Sequence, residues 1–321
     1  MKQKNYVIGL DLGGTNSVFG IVDRRGNIVV TTSIKTQEHE NPVRYVEECC
    51  DALKKIIEEV GGINDIYAMG IGAPNGNYYT GSVISPANLS WKGEIPLAQM
   101  FSKHLDIPVA LTNDANAAAI GEMTYGTAKG MKNFITITLG TGVGSGIVCN
   151  GKVVYGSDGF AGELGHIIID RSENAPLCGC GRRGCLETYC SATGVVRIAK
   201  EIINSTNHST VLRNIPLNEL TSKDIAIAAE KGDKIARDIF EQTGRILGQQ
   251  CANFTAFYSP EAIIFFGGLI KAGNLLMEPI RQAYNENLYQ TYQHHKAKIL
   301  ISALDDASAA ILGASALGWE L

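Results

Sequence analysis

The sequence predicts an α/β protein of two lobes, and three observations support this prediction. The chain has 321 residues, which is too long for one compact core and suits two domains of ordinary size. Segments of strand character alternate with segments of helical periodicity along most of the chain. A pattern of strand, glycine turn, strand, turn and strand also occurs twice, which suggests a duplicated domain.

The two copies of this pattern share a Leu-Gly pair at their first turn. The first copy spans residues 6–30, and its first strand leads into the turn Asp11-Leu12-Gly13-Gly14-Thr15-Asn16. The second copy spans residues 134–154, with Leu139-Gly140-Thr141-Gly142 in the equivalent place. A second turn in each copy leads the chain back into a third strand, as expected of hairpins.

Further elements follow from hydrophobic periodicity and from glycine or proline at their ends. Apolar residues at helical spacing, or runs rich in alanine, predict helices at 42–60, 96–105, 115–125, 233–257 and 307–317. Short apolar runs predict strands at 66–72, 109–112 and 262–266.

Composition excludes several classes of protein. A hydrophobic share of 45% and a charged share of 19% are those of a globular protein. The net charge of −4 provides no basic excess for nucleic acid. No run is long and apolar enough for a membrane span, and no signal peptide is recognisable, so we expect a cytoplasmic protein with no membrane partner. In a reducing compartment, the eight cysteines favour thiolate metal sites over disulfides.

The glycine turns are candidate phosphate-binding loops, because glycine lets an anion approach the backbone. The sequence lacks the Gly-Lys-Ser/Thr ending of a Walker loop, and neither Gly70-x-Gly72 nor Gly140-x-Gly142 continues to the third glycine of a Rossmann loop. Each turn can offer N–H groups and a hydroxyl, from Thr15 or Thr141, to phosphate oxygens. Asp11 could hold Mg²⁺ through water. The alternative is two tight hairpins without a ligand.

Asp114 is the candidate general base. It follows a predicted strand and begins a predicted helix, so it could equally be a helix N-cap. A carboxylate that accepts the proton of the attacking hydroxyl recurs in phosphoryl transfer. The sequence alone does not separate these two roles, and one residue could serve both.

A cluster of metal-ligand residues follows Gly162-Glu163-Leu164-Gly165-His166. Cys178, Cys180 and Cys185 complete a Cys₃His set, which suits structural zinc with no open coordination position. The alternative is loop thiols that never bind a metal. Glu163 and Glu187 flank the cluster, and carboxylates held rigidly can accept hydrogen bonds from sugar hydroxyls. Ordinary surface glutamates are the alternative for this pair.

Together these motifs resemble the ROK family of repressors, open reading frames of unknown function and sugar kinases, and its bacterial glucokinase branch most of all. The resemblance runs nearly end to end and rests on five motifs in order. They are the turn 11–16, Asn113-Asp114-Ala115-Asn116-Ala117, the glycine-rich run 139–146, Glu163-x-Gly-His166, and Cys178-x-Cys180-Gly-x-x-Gly-Cys185.

The resemblance implies an actin-like ATPase (ribonuclease H-like) fold, with two duplicated lobes and a cleft between them. It implies a first lobe of residues 1–113 plus 304–321, and a second of 114–303 that carries the zinc loop. It implies Asp114 as the base and a hexose bound by Gly76, Asn88, Asn113, Asp114, Glu163, His166 and Glu187. It also implies ATP bound by Asp11, Gly13, Gly14, Thr15, Asn16, Gly140, Thr141, Gly142, Gly267 and Gly268.

The family resemblance also defines the expected reaction and its alternatives. We expect ATP-dependent phosphorylation of glucose to glucose 6-phosphate, with N-acetylmannosamine, N-acetylglucosamine, fructose or allose as other acceptors. Departures at Pro74-Asn75-Gly76 and Pro86-Ala87-Asn88-Leu89 affect the region of sugar recognition. A sugar-responsive regulator is the alternative from another class, but only ten residues precede Asp11, too few for a helix-turn-helix domain. Family members are dimers or tetramers, so we expect a homo-oligomer.

Overall fold

Two five-stranded sheets of the same topology organise the protein in a computed structural model that describes residues 4–86 and 89–321. The first sheet has the strand order β3-β2-β1-β4-β8, and the second has the order β11-β10-β9-β12-β13. The strands are β1 Tyr6–Leu12, β2 Asn16–Asp23, β3 Ile28–Lys35, β4 Ile66–Ala73, β5 Gly76–Asn77, β6 Ser82–Ile84, β7 Glu94–Ile95, β8 Val109–Asn113, β9 Phe134–Leu139, β10 Val143–Cys149, β11 Lys152–Val153, β12 Ala262–Phe266 and β13 Lys298–Ile301.

Helices connect these strands and close the chain. They are α1 Pro42–Glu59, α2 Leu97–Leu105, α3 Asp114–Thr124, α4 Glu187–Cys190, α5 Ala192–Ser205, α6 Ser222–Glu230, α7 Lys234–Tyr258, α8 Asn274–Asn287 and α9 Asp306–Trp319. Within the described part of the chain, none of these helices combines the length and the apolar character needed to cross a membrane.

The duplicated pattern of the sequence is confirmed by the strand order. In the first sheet, β1 pairs antiparallel with β2 and parallel with β4, and β4 pairs parallel with β8. In the second sheet, β12 pairs parallel with both β9 and β13, and β10 pairs antiparallel with β11. Each sheet therefore begins with antiparallel strands joined by glycine turns and ends with parallel strands reached through helices.

The chain divides into two compact units. Unit 1 contains residues 1–132, 146–162 and 302–321, and unit 2 contains residues 133–145 and 163–301. Residues 114–132 thus lie in unit 1, whereas the lobes expected from the family resemblance placed them in the second lobe. The predicted lobe boundary stays a prediction, because these units describe local compactness rather than duplication.

The predicted helices and the three short apolar strands are present, and none of their ends is shifted by more than two residues. Helix α1 begins where predicted because the side chain of Asn41 accepts a hydrogen bond from the Val43 N–H, at 2.8 Å, and Pro42 occupies the first turn. It ends one residue earlier than predicted, just before the glycines at 61 and 62. Strand β12 has the predicted bounds.

Helix α9 lies against the first sheet and α3 at backbone distance. A Cβ atom at Gly70 in β4 would lie 1.8 Å from the carbonyl oxygen of Ala314. A Cβ atom at Gly313 in α9 would lie 2.4 Å from the carbonyl oxygen of Ala117 in α3. Only glycine fits such contacts, which explains why small residues dominate these segments. The contacts fix α3, and with it the Asp114 end of that helix, against the sheet.

Candidate active site

Two aspartates of unit 1 lie at the carboxyl ends of β1 and β8, the parallel strands on either side of β4. Asp11 is near the end of β1, and Asp114 follows β8 directly as the first residue of α3. Strand β4 runs between them, since its Gly72 is paired with Asp11 on one side and with Thr112 on the other. A Cβ atom at Gly72 would lie 3.7 Å from the Asp114 Cα, so the strand passes close to that residue. Ligand sites of open α/β sheets occur at such edges.

The start of α3 separates the two roles that the sequence left open for Asp114. The N-cap is Asn113, whose Oδ1 accepts a hydrogen bond from the Asn116 N–H at 2.8 Å. Asp114 is the first helical residue, and its Oδ1 accepts a hydrogen bond from the Ala115 N–H at 2.8 Å. Capping therefore does not require the Asp114 carboxylate, although the positive end of the helix dipole stabilises its charge.

The two carboxyl groups hold their protons more tightly than free aspartates. Burial raises the pKa of Asp11 to about 6, and the negative charge of Asp114 adds to this rise. The pKa of Asp114 is also raised, because the surrounding protein restricts its hydration, while its bond to Ala115 opposes the rise. The Asp114 side chain nevertheless keeps exposed surface, so it stays accessible to a ligand. A carboxylate with a raised pKa is a better proton acceptor.

The first glycine turn is closed by its own backbone. The Gly13 N–H donates to the carbonyl oxygen of Asn16 at 3.1 Å, and Thr15 and Asn16 are exposed. Ser17, the next residue, is buried and lies 2.8 Å from the Thr36 hydroxyl and 2.7 Å from the Tyr45 hydroxyl. Hydrogen bonds therefore fix the residue that follows the turn, while Thr15 and Asn16 in the turn are exposed to solvent.

Gly76 packs against the strand that leads to Asp114. It lies in the buried strand β5, and a Cβ atom at this position would lie 2.4 Å from the carbonyl oxygen of Thr112. A larger residue would displace β8 two positions before Asp114. Asn88, the other residue expected near the outer sugar hydroxyls, lies outside the described residues.

The second glycine turn lies in unit 2 and is held by the start of α5. The Gly140 N–H donates to the carbonyl oxygen of Gly142 at 3.1 Å, and Thr141 is exposed. The Ala192 N–H donates to the Gly140 carbonyl oxygen at 2.9 Å, and the Thr193 hydroxyl donates to the Thr141 carbonyl oxygen at 2.8 Å. This turn therefore has supports outside its own hairpin.

A cavity of about 590 Å³ opens beside the second turn. Residues of α5 and of the segment that begins α6 form most of its wall, and they include both apolar and hydrogen-bonding side chains. The lining residues are Thr141, Ala192, Thr193, Val196, Arg197, Lys200, Glu201, Asn204, Leu220, Thr221 and Ser222. The sequence did not indicate this cavity, because its helices carry ordinary surface residues without a motif.

Gly267 and Gly268 follow β12 at the same edge of the second sheet. Gly267 has a φ of 102°, and a Cβ atom there would lie 2.6 Å from the carbonyl oxygen of Leu139 at the end of β9. A Cβ atom at Gly268 would meet no heavy atom within 4 Å. Gly267 is thus required by packing, whereas Gly268 faces open space, and neither residue is among those that line the cavity.

The predicted metal ligands converge in unit 2. The ligand atoms of His166, Cys178, Cys180 and Cys185 all lie within 4.8 Å of one another. The Cys178 Sγ is 3.5 Å from the His166 Nδ1, and the Cys180 Sγ is 3.6 Å from the Cys185 Sγ. Tetrahedral zinc with Zn–S bonds of about 2.3 Å places its sulfur ligands about 3.8 Å apart, so the residues fit that ion.

The two glutamates that flank the cluster have different surroundings. Glu163 is exposed and precedes the short 3₁₀ helix Leu164–His166. Glu187 begins α4, and its Oε2 accepts a hydrogen bond from the Val143 N–H of the second turn at 3.0 Å. Its Oε1 lies 3.5 Å from the Cys178 Sγ. The contact with Val143 could not be predicted from the sequence, because the two residues are far apart along the chain.

Comparisons with known proteins agree with this arrangement. The model of the ROK family matches residues 7–320. The chain belongs to the ROK family. A ROK glucokinase from Streptomyces griseus, crystallised with glucose and AMPPNP, has a TM-score of 0.81 to this structure and 34% identity, over 98% of this chain and 100% of that one. The ROK sugar kinases have the actin-like ATPase fold, so the predicted fold is confirmed.

Two curated ROK relatives are similar over most of their length. A glucokinase from Halalkalibacterium halodurans is 37% identical over 282 residues, which are 87% of this chain and 85% of the relative. A glucokinase from Streptomyces coelicolor is 35% identical over 318 residues, which are 98% of this chain and 97% of the relative.

The raised pKa of Asp11 predicts a pH-dependent gain in stability when its charge is removed. Ionised Asp11 destabilises the folded state, so Asp11→Asn should raise the free energy of unfolding by up to about 3 kcal/mol at pH 8. The native carboxyl takes up a proton as the pH falls through about 6, so the gain should fall to roughly half near pH 5. Urea unfolding at both pH values, without divalent cations, measures the difference.

Asp51→Asn is the control, since the Asp51 side chain is 73% exposed on α1. It should change the free energy of unfolding by less than about 0.5 kcal/mol at either pH. An Asp11→Asn effect of equal size at pH 8 and pH 5 would show that burial does not raise the pKa of this group.

Proposed function

We propose that this ROK protein is an ATP-dependent hexose kinase that converts glucose to glucose 6-phosphate. The observation that carries the proposal is the Asp114 carboxylate, which begins α3 beside a second aspartate at the carboxyl edge of parallel strands. The chain is also similar over nearly its full length to proteins named glucokinase. N-acetylmannosamine, N-acetylglucosamine and fructose are the alternative acceptors.

Asp114 acts as the general base in this proposal. It accepts the proton of the sugar hydroxyl that attacks the γ-phosphorus of ATP, and the γ-phosphoryl group moves to that oxygen as ADP leaves. Its raised pKa makes the carboxylate a stronger base than a free aspartate, and its exposed surface leaves room for a hydroxyl. The protein provides no nucleophile, so positioning and charge neutralisation supply the rate enhancement.

The sugar is recognised by side chains around the base and by the segment that carries the metal ligands. Carboxylates, amides and the imidazole can exchange hydrogen bonds with hydroxyl groups. Gly76 shapes the site by its close contact with Thr112. The proposed set is Gly76, Asn88, Asn113, Asp114, Glu163, His166 and Glu187.

ATP binds through both glycine turns and the cavity next to the second one. The open space at Gly140 and Gly268 and the exposed Thr15 and Thr141 suit phosphate oxygens. The cavity shares Thr141 with the second turn and has apolar and polar walls, so it suits the adenosine. The remaining members of the set are Asp11, Gly13, Gly14, Asn16, Gly142 and Gly267.

Mg²⁺ and structural Zn²⁺ complete the proposal. Asp11 would hold Mg²⁺ through water, and Mg²⁺ would neutralise charge on the phosphates. A cation would also reduce the repulsion between Asp11 and Asp114. His166, Cys178, Cys180 and Cys185 would hold Zn²⁺, which would fix the segment that carries Glu163.

Substitution of the base tests the reaction. Asp114→Asn should lower kcat for glucose by about 10²-fold or more, because the amide accepts no proton, while the Kd for glucose changes by less than about threefold. Coupled ADP detection with a panel of hexoses measures turnover, and titration calorimetry measures sugar binding.

Asp238→Asn, on the exposed face of α7, is the control and should keep full activity. Wild-type turnover on an N-acetylhexosamine or fructose in preference to glucose would replace the proposed acceptor. Full activity of Asp114→Asn would contradict the role of this carboxylate.

Metal analysis tests the Cys₃His site. Purified protein should contain one zinc per chain, and Cys180→Ser should lower the zinc content to less than half, because three ligands hold zinc more weakly than four. Cys149→Ser is the matched control, since Cys149 lies outside the cluster. Wild-type protein without zinc, or a Cys180→Ser variant with full zinc, would disprove the assignment.

A further inference from the structure

Glu187 joins two parts of unit 2 that the proposed function treats separately. Its Oε2 accepts the hydrogen bond of the Val143 N–H at 3.0 Å, at the point where the second glycine turn enters β10. Its Oε1 lies 3.5 Å from the Sγ of Cys178, one of the four cluster residues. One carboxylate therefore contacts the metal-ligand cluster with one oxygen and the phosphate-binding turn with the other.

The turn is shaped to receive this carboxylate. A Cβ atom at Gly142 would lie 2.3 Å from the Glu187 Oε2, so any side chain at this position would force the carboxylate away. A Cβ atom at Gly140 would meet no heavy atom within 4 Å. The two glycines of the turn thus have different purposes, because Gly142 makes room for Glu187 and Gly140 leaves room for a ligand.

The first glycine turn is supported differently. There the close approach comes from within the turn, since a Cβ atom at Gly13 would lie 2.7 Å from the carbonyl oxygen of Asn16. A backbone hydrogen bond that reaches this turn from outside is long, from the Gln37 N–H to the Thr15 carbonyl oxygen at 3.4 Å. The second turn instead has three partners from other segments at 2.8–3.0 Å, namely Ala192, Thr193 and Glu187. Its shape therefore depends on where those segments lie.

Two further contacts tie the metal-ligand segment to the same strand. The Leu164 N–H donates to the Ser145 Oγ at 3.0 Å. A Cβ atom at Gly165 would lie 2.0 Å from the carbonyl oxygen of Val143, which places this backbone directly against the turn. Glu187, Leu164 and Gly165 thus contact β10 from both ends of the segment that contains the four ligands.

We propose that Glu187 is a positioning residue that transmits the state of the Cys₃His cluster to the second phosphate-binding turn, so that metal loading sets the affinity for ATP. Only Leu186 separates Cys185 from Glu187 along the chain. When Cys185 loses the metal and moves, the Glu187 carboxylate therefore moves with it. The Val143 N–H then loses its acceptor, and the turn loses the geometry that its other N–H groups need for phosphate. The inference rests on the proposed function, because it requires that the turn binds ATP.

The two roles that the Glu187 carboxylate could have, as a negative charge or as a hydrogen-bond acceptor, predict opposite effects of its removal on ATP binding. If the carboxylate acted only through its charge, it would repel the phosphates, and its removal would strengthen ATP binding. If it acts as an acceptor for Val143, an amide in its place retains the bond, and truncation removes it. Glu187→Gln and Glu187→Ala separate the two cases.

Calorimetric titration with a non-hydrolysable ATP analogue and Mg²⁺, without sugar, tests the proposal. The absence of sugar removes any direct part that Glu187 has in binding the acceptor. Glu187→Ala should weaken nucleotide binding about tenfold, and Glu187→Gln should stay within about threefold of the wild type. Glu173→Ala, an exposed glutamate of the same segment, is the matched control and should leave binding unchanged.

Metal removal by a chelator completes a thermodynamic cycle. Stripping the metal should weaken nucleotide binding of the wild type about tenfold and should have little further effect on Glu187→Ala. Equal losses in the two proteins, or wild-type affinity of Glu187→Ala, would overturn the inference while the proposed function stands. A wild type that binds no nucleotide would overturn the proposed function and this inference with it.

Discussion

The repulsion between two neighbouring carboxylates is the constraint on which the rest of this structure depends. Asp11 and Asp114 lie on either side of β4, and burial together with their mutual charge raises the pKa of Asp11 to about 6. Such a pair costs folding free energy, so a structure that keeps it must hold both groups rigidly. The glycine contacts of α9 with β4 and α3 provide that rigidity, because backbone packed on backbone leaves little room for adjustment.

The glycine turn of unit 2 is supported by different contacts from those of the turn in unit 1. The second sheet repeats the strand order of the first, but its glycine turn is held by α5 and by Glu187, whereas the first turn is held by its own backbone and by a long bond from the Gln37 N–H. The two turns thus occupy equivalent places in their sheets but have different neighbours. The Cys₃His cluster lies next to the second turn, because the Glu187 carboxylate that accepts the hydrogen bond of the Val143 N–H is also 3.5 Å from the Cys178 Sγ.

Much of the fold could be predicted because its signals are local. Hydrophobic periodicity and glycine turns located every strand of the first sheet and all but β13 of the second, and the cysteine spacing located the cluster around His166. Contacts between distant segments could not be predicted. The cap of α3 is Asn113, although aspartate is an equally good cap, and the bond between Glu187 and Val143 joins residues that only the tertiary fold brings together. The cavity on α5 has no motif, because its shape comes from the packing of ordinary side chains.

The central claim is that the Asp114 carboxylate takes the proton of a bound hexose. A crystal structure with glucose and a non-hydrolysable ATP analogue tests it most directly. The account predicts a carboxylate oxygen of Asp114 at about 2.6–3.2 Å from the hydroxyl that faces the γ-phosphate. A bound glucose whose hydroxyl groups all lie beyond hydrogen-bond reach of Asp114, with the γ-phosphate in place, would contradict it.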